Sequence, residues 1–330
     1  MISVHLTGHS LGRVRLATSP ASEAVTWLRL AANGRRHPIY GDPGPAARLA
    51  LRHRDVALLT QVLAPGSTGG YTLDLLTPKP PIGPSTGDFD RQLQVMAQTP
   101  TEAVVRQLCA GRFPRGGMPV EVRAAIKDDT FAQRMTDGLL HFWRVAFGEL
   151  WAGIRTTLDA DLAAKATAIG TGGIGRMLGA LHAEVSWTGS HLLISSGTYQ
   201  ESLDLDGEEL VLCPTALGWP RLAVQCCDPR DAVLVYPASG LGTQRPTPPT
   251  GLSELVGTSR AAILQDLGVA RSTTELSARR QLSPATVSYH LGVLLRSGLV
   301  SRRREHRVVL CHRTGQGDAA LGLPNDVLQG

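Results

Sequence analysis

Residues 282–300 read Leu282-Ser-Pro-Ala-Thr-Val-Ser-Tyr-His-Leu-Gly-Val-Leu-Leu-Arg-Ser-Gly-Leu-Val300, and this stretch decides the architecture of the carboxyl-terminal part of the chain. Ser283 is a typical N-cap and Pro284 suits the first helical position, which predicts a helix over 284–297 that stops at Gly298. The apolar residues of this helix recur at helical spacing and form its predicted buried face: Val287, Leu291, Leu294 and Leu295.

Shorter elements flank this helix on both sides. A helix is predicted over 258–267, and a second one over 275–281, where Thr273 or Thr274 can act as the cap. Two short helices joined by a tight turn, the second polar at its leading end, are typical of a helix-turn-helix. The segments 299–304 and 307–313 then predict a β-hairpin, which would be a wing.

The charge of the chain is concentrated in the same region. The 330 residues hold 33 Lys plus Arg and 28 Asp plus Glu, a formal net charge of +5. Residues 259–313 contain ten Arg and three acids, hence +7, which leaves −2 for the rest. Such asymmetry is typical of a protein that binds a polyanion, most often nucleic acid, although a solvated basic face without a partner has the same composition.

The predicted partner is double-stranded DNA, because short polar side chains at the start of a recognition helix can approach base edges in the major groove. Arginines of the wing are expected to contact phosphates without selecting a sequence. The candidate DNA-contacting residues are Thr274, Ser283, Pro284, Ala285, Thr286, Ser288, Tyr289, His290, Arg296, Arg302, Arg303, Arg304 and Arg307.

The run from Thr258 to Glu305 resembles the winged-helix DNA-binding domain of ArsR-type bacterial repressors. The resemblance covers about residues 252–322 and is carried above all by Leu-Ser-x-x-Thr-Val-Ser-x-His-Leu followed by Ser-Gly-Leu-Val. It implies a homodimeric repressor with recognition helix 284–297. Two departures stand out: the family's wing turn usually contains a glycine where this chain has His306, and Cys311 occupies a position that is often Tyr.

The larger amino-terminal part is predicted to mix helices and strands. Ser19 and Pro20 predict a helix start that runs to about Ala32, and further helices are predicted at 46–53 and, in two pieces, over 88–109. From Phe131 to Leu162 apolar residues recur in steps of three or four, which predicts a long helix in the core, or alternatively a dimer face or pocket wall.

After Gly189 the pattern changes to short β-rich runs. Strands are predicted at 191–195, 202–205, 209–213, 222–225 and 232–236, besides one near 2–7. Asp206-Gly207 lies between two of these strands and predicts a hairpin. The region about 1–240 has a looser likeness to an uncharacterised domain found ahead of winged helices in some bacterial regulators, carried by Ser19-Pro20, Trp219-Pro220 and the run Val235–Gly240.

We therefore predict an α+β protein: a large mixed domain over 1–240 for sensing or dimerisation, a linker over 241–251, and a winged helix over 252–330. No apolar run is long enough to cross a membrane, and the first residues lack the pattern of a signal peptide. Five scattered cysteines do not form a disulfide framework. The expected location is the bacterial cytoplasm, in association with the nucleoid.

Gly170-Thr-Gly-Gly-Ile-Gly175 matches the dinucleotide fingerprint G-x-G-x-x-G, which requires a strand before it and a helix after it. The preceding residues 159–168 are rich in alanine and predict a helix. A break between two helices is therefore the favoured interpretation, and no cofactor is predicted. No spacing typical of a nucleophile with its base occurs either, so no catalytic residue is assigned.

Two further groups of residues have both a functional and a structural interpretation. Cys213, Cys226 and Cys227 with nearby His191 could hold a metal, but vicinal cysteines in a strand face opposite sides, so packing is favoured and no metal is predicted. The tryptophans could line an apolar ligand pocket, and core packing is again favoured: Trp143, Trp151, Trp187 and Trp219.

The sequence thus predicts a transcription regulator, with a homodimer and an unidentified small-molecule effector as further expected partners. Two alternatives stay open for the larger domain: an enzyme or cofactor-binding domain that the winged helix targets to DNA, or a domain that only dimerises and recruits a protein. The effector, the operator, the choice between repression and activation, and the roles of the three cysteines are not encoded in any recognisable motif.

Overall fold

The computed structural model describes residues 1–63, 72–83, 87–114, 116–195, 201–226, 228–241, 250–268, 271–305 and 308–321. The chain forms two compact units, Met1–Leu241 and Gly242–Gly330. The predicted linker over 241–251 falls mainly on residues outside the described ranges. Where the description resumes, Thr250–Val256 is already helical.

The first unit is built mostly from helices. Pro20–Ala32 begins as expected, since the Ser19 hydroxyl accepts a hydrogen bond from the backbone N–H of Ser22 at 3.3 Å. Its helices are α1 (Gly8–Gly12), α2 (Pro20–Ala32), α3 (Gly44–Ala50), α4 (Arg54–Val62), α5 (Asp88–Ala97), α6 (Thr101–Gln107), α7 (Val120–Lys127), α8 (Phe131–Phe142), α9 (Gly148–Gly172) and α10 (Ile174–Gly179).

The predicted long apolar face is a core element. Helices α8 and α9 are joined by a π-helical turn, Trp143–Phe147, so that the chain stays helical from 131 to 172. Helix α8 packs against α2, α4 and α5. The buried side chains of this face belong to one core cluster: Phe131, Met135, Leu139, Phe147, Ile154 and Leu158. The core interpretation of this periodicity is confirmed.

Two four-stranded sheets complete the first unit. The strands are β1 (Ile2–His5), β2 (Arg15–Leu16), β3 (Val185–Trp187), β4 (His191–Ile194), β5 (Glu201–Asp204), β6 (Val211–Thr215), β7 (Ala223–Gln225) and β8 (Val233–Pro237). The first sheet has the order β3-β4-β1-β5, and the second has the order β2-β6-β8-β7. Strands β2, β6 and β8 run parallel, and the edge strand β7 is antiparallel.

The prediction of a hairpin at Asp206-Gly207 is wrong. Both residues have positive φ, 45° and 86°, as a tight turn requires. However, β5 pairs in parallel with β1, whereas β6 pairs with β2 and β8 in the other sheet. The turn therefore passes the chain from one sheet to the next, because each flanking strand pairs with strands far away in the sequence.

The second unit is a helix-turn-helix with a small sheet. Its helices are α11 (Thr250–Val256), α12 (Thr258–Asp266), α13 (Thr273–Arg280), α14 (Pro284–Arg296) and α15 (Gly315–Ala320), and its strands are β9 (Arg271–Ser272), β10 (Val300–Glu305) and β11 (Val308–Arg313). The sheet has the order β10-β11-β9, with both pairs antiparallel. A mixed first unit followed by a helix-turn-helix confirms the predicted α+β class.

Candidate nucleic-acid interface

The two helices of the motif are joined by a three-residue turn whose geometry the sequence specifies. Helix α13 ends at Arg280, and the C-cap residue Gln281 adopts the left-handed conformation at φ 54°. The Ser277 hydroxyl donates a hydrogen bond to the carbonyl oxygen of Leu282, which ties the turn back to α13. One apolar residue of α13, Leu276, is buried with three from α14: Val287, Leu291 and Leu294. This shared core fixes the orientation of α14 relative to α13.

Helix α14 starts where predicted. The Ser283 hydroxyl accepts a hydrogen bond from the backbone N–H of Thr286 at 3.1 Å, and Pro284 occupies the first helical position. The hydroxyls of Ser283 and Thr286 lie 2.8 Å apart. The first turn of α14 is therefore rigid and presents hydroxyl groups at the surface.

The outer face of α14 is polar and accessible. Tyr289 is 65% exposed, unusually high for an aromatic side chain. Thr286 and His290 are half-buried, and the Nδ1 atom of His290 is buried without a hydrogen-bond partner among the described residues. The predicted site residues that are exposed on α13, the turn and α14 are Thr274, Ser283, Pro284, Ala285, Ser288, Tyr289 and Arg296. Of these, Ser283, Pro284, Ala285, Ser288 and Tyr289 lie at the leading end of α14, and we call them the reading face.

The predicted wing is present as the antiparallel pair β10–β11. Its register joins Val300 to Arg313 and Glu305 to Val308. Arg302 is exposed. Arg303 and Arg304 lie on the same strand, and their side chains are outside the description. Arg307 and the turn residue His306 lie outside the described residues, so the effect of the missing glycine stays a prediction.

The ten arginines of residues 259–313 fall into two groups. Five of them donate hydrogen bonds to oxygen atoms within the second unit and stabilise its fold: Arg260, Arg271, Arg279, Arg280 and Arg313. The others are those assigned to DNA contacts from the sequence. Of these, the exposed Arg296 and Arg302 form no ion pair with another described residue. Fewer arginine side chains are thus available for direct contact with a partner than the sequence count of ten suggests.

Two residues that stabilise the second unit were not predicted from the sequence. Ser272, rather than Thr273 or Thr274, caps α13, and it forms a reciprocal capping box with Glu275. The spacing Ser272-x-x-Glu275 is the signal that could have identified it. Asp266 accepts hydrogen bonds from Arg279 and Arg280 at 3.1 and 2.5 Å, a contact that no local pattern reveals.

The Gly170–Gly175 run lies at a break between helices, as predicted. Helix α9 extends to Gly172, Gly173 has φ 79°, and α10 begins at Ile174. Space is also restricted, since a Cβ at Gly175 would lie 2.7 Å from Nε1 of Trp187. The strand that a dinucleotide fingerprint needs before its glycines is here a helix.

The cysteines singled out with His191 are not brought together around it. Cys213 is buried in β6, in the second sheet, and burial raises the pKa of its thiol to about 12. The Cys226 thiol lies 3.7 Å from Oε2 of Glu201, and Cys227 is outside the described residues. Within the described ranges, no three His, Cys, Asp or Glu side chains converge on one metal position.

The tryptophans pack chiefly as predicted. Trp143 stacks on Phe89 with ring centroids 3.8 Å apart and contacts Trp151 at 5.7 Å. Trp143 and Trp151 also border an open cavity of about 210 Å³ beside Asp88 and Arg155.

None of the described helices combines the length and apolarity that crossing a bilayer requires.

Comparison with known families agrees with this division of the chain. Residues 259–303 match the model of a family described as a helix-turn-helix domain. This stretch covers nearly all of α12, all of α13 and α14, and part of β10. Residues 104–242 match a family of unknown function, DUF5937. No curated protein and no solved structure matches the chain. The helix-turn-helix domain indicates a DNA-binding regulator of transcription.

Proposed function

We propose that the protein is a sequence-specific transcriptional repressor that binds DNA as a homodimer, in the manner of the ArsR-type regulators that its winged helix resembles. The observation that carries this proposal is the reading face, where hydroxyls and an exposed Tyr289 lie on a helix start fixed by the Ser283 cap. As a repressor it would occupy a promoter in the bacterial cytoplasm.

In this proposal α14 enters the major groove with its amino-terminal end first. Ser288 and Tyr289 are exposed and carry hydroxyl groups that can donate or accept hydrogen bonds at base edges. The backbone there is rigid, because Ser283 caps the helix and Val287 anchors it in the core. Rigid placement of short side chains is what selection of a base sequence requires.

The arginines outside the core supply the phosphate contacts. Arg296 lies in the last turn of α14 and Arg302 on β10, so they border the reading face from the side of the wing. The proposed contacts extend to Arg303, Arg304 and Arg307. If all five arginines neutralise phosphates, the logarithm of affinity falls with the logarithm of salt by about 4.5 per protomer.

We further propose that the first unit senses a signal and contributes to dimerisation, with no catalytic role. Two recognition helices would then contact half-sites about one helical turn, or ~10 bp, apart. A small molecule bound by the first unit would alter the spacing of the two helices and release the DNA. The enzyme alternative gains no support from Gly170–Gly175, since a helix precedes those glycines.

Selection of bound fragments from bacterial genomic DNA by the full-length protein tests this proposal. We expect a small set of fragments with an inverted repeat, bound by two protomers and released steeply as salt rises. Gel shifts at two salt concentrations and at several protein concentrations measure both properties. Uniform binding of all fragments, or binding that does not respond to salt, would overturn the proposed function.

A further inference from the structure

Three neighbouring strands of the first sheet place a metal-ligating residue at the same level. His191 of β4 pairs with His5 of β1, and His5 pairs in turn with Asp204 of β5. On β1, Ile2 and Val4 are buried, whereas His5 is on the other, half-exposed face. The three polar side chains therefore lie in one row across the outer face of the sheet.

The two imidazole rings are close and nearly parallel. Their centroids lie 4.7 Å apart with an interplanar angle of 31°. The Nδ1 atom of His5 lies 2.9 Å from Oδ2 of Asp204. The Nδ1 atom of His191 lies 2.8 Å from the Ser190 hydroxyl. Each ring thus has a polar partner on Nδ1, which leaves its Nε2 as the atom that can coordinate a metal.

Asp204 is itself held in position. Its Oδ1 accepts a hydrogen bond from the backbone N–H of Asp206 at 3.0 Å. An oxygen that accepts a hydrogen bond from Nδ1 leaves Nε2 as the coordinating atom of the ring. Carboxylate-bound histidines of this kind are typical metal ligands.

We propose that His5 and His191 bind one divalent transition-metal ion of the Zn²⁺, Ni²⁺ and Cu²⁺ class through their Nε2 atoms, with Asp204 orienting His5. Metal–nitrogen bonds of 2.0–2.1 Å place two such atoms about 3 Å apart, a separation compatible with ring centroids 4.7 Å apart. Water fills the remaining positions, so the site is an exchangeable one.

The site has a defined position in the fold and is independent of the proposed DNA binding. His5 and Asp204 are 199 residues apart in the sequence, and His191 lies on a third strand. A metal bound by both histidines connects β1 with β4, so it stabilises the first unit by an amount that rises with the logarithm of the free metal concentration above Kd. Loss of metal binding would leave the helix-turn-helix contacts with DNA unchanged.

Isothermal titration of the untagged full-length protein with ZnCl2 and NiCl2 tests the proposal. We expect one ion per chain, and affinity reduced at least tenfold in H5Q and in H191Q. D204N, which keeps both ligands, should bind 10- to 100-fold more weakly. The matched control is H141Q. His141 also stacks on a second histidine, His53, at 4.0 Å, but the Nδ1 of His53 has no hydrogen-bond partner among the described residues to orient its ring. H141Q should therefore leave the metal affinity unchanged.

The electron paramagnetic resonance spectrum of bound Cu²⁺ gives a second measurement, which does not require a variant to fold. Two coordinated imidazole nitrogens are expected in the original protein. Absence of saturable binding up to about 1 mM metal would overturn the proposal. Equal affinity in H5Q, H191Q and the original protein, or a copper spectrum without two imidazole nitrogens, would overturn it as well.

Discussion

Arg280 donates from its Nε atom to Oδ2 of Asp266 at 2.5 Å, and this ion pair joins α13 to the end of α12. Both side chains are largely buried, with 10% and 9% of their surface exposed. Arg279 reaches the other oxygen of the same carboxylate at 3.1 Å. One aspartate thus pairs with two arginines inside the second unit, so these three side chains together add one positive charge rather than two.

Replacement of Asp266 by Ala should destabilise the second unit by about 3 kcal/mol, because it leaves two partly buried arginines without their carboxylate. Urea unfolding followed by far-UV circular dichroism measures the change. Asp42→Ala is the matched control, since its pair with Arg48 is exposed and should contribute less than about 1 kcal/mol. Equal effects of the two substitutions would contradict the structural role of Asp266.

Tyr289 and Arg302 should have different effects on DNA binding. Tyr289→Ala removes a side chain of the reading face, so we expect it to change the preferred sequence by about 1–3 kcal/mol at one position. Arg302→Ala should weaken binding to all sequences alike and reduce the salt slope by about 0.9 per protomer. Competition assays on the selected fragment and on scrambled DNA measure both.

The control for Arg302→Ala is Arg123→Ala, which removes the same charge from an exposed position on α7 of the first unit. It should leave the salt slope unchanged. If Tyr289→Ala and Arg302→Ala weaken all sequences to the same extent, the assignment of one residue to bases and the other to phosphates is wrong.

Glu23 should make stability depend on pH. Its carboxylate is buried and accepts hydrogen bonds from Thr215 and from the backbone N–H groups of Ala216 and Leu217. Burial raises the pKa of Glu23 from 4.5 to about 7, because removal of the charged form from water outweighs these bonds. The folded state therefore binds the proton more tightly than the unfolded state.

The contribution of this carboxyl to the free energy of unfolding should fall as pH rises from about 4.5 to 7, by up to about 3 kcal/mol. Glu23→Gln removes the titration, so the variant should gain stability relative to the original protein between pH 5 and pH 8. Unfolding at both pH values measures the gain. Glu102→Gln, at an exposed position, should show no such trend, and a constant difference for Glu23→Gln would refute the prediction.

Two glycines within helices should respond in opposite ways to alanine. A Cβ on Gly138 of α8 would lie 2.6 Å from the backbone oxygen of Asp55, where α8 crosses α4. Gly138→Ala should therefore destabilise the first unit by about 1–3 kcal/mol. Gly153 of α9 has nothing within 4 Å of such a Cβ, and Gly153→Ala should stabilise by about 0.5–1 kcal/mol. Thermal unfolding of the two variants measures this contrast, and changes of the same sign would contradict it.

Local signals in the sequence were sufficient for α14 and its cap. The cap at Ser283, the proline after it and the apolar spacing of α14 are contacts between near neighbours, and each was predicted correctly. The capping box of α13 is local as well, and Ser272 was overlooked because two threonines follow it directly. The candidate interface is predictable for this reason: a helix-turn-helix depends mainly on short-range contacts.

The first unit was harder to predict because its strands pair over long distances. The turn at Asp206-Gly207 has hairpin geometry, but the two strands that it joins do not pair with each other. Strand β5 pairs with β1, and strand β6 pairs with β2 and β8. Sequence spacing alone cannot rank such pairings. The same holds for the row of His5, His191 and Asp204, whose members come together only through the register of three strands.

The central position of β1 has a consequence for the order in which the protein folds. Both neighbours of β1 come late in the chain, since His5 pairs with His191 and with Asp204. During synthesis β1 leaves the ribosome long before either partner exists, so this sheet cannot close until residue 204 has been made. Until then its apolar residues Ile2 and Val4 stay without their native cover, which makes nascent chains of intermediate length the species most dependent on chaperones.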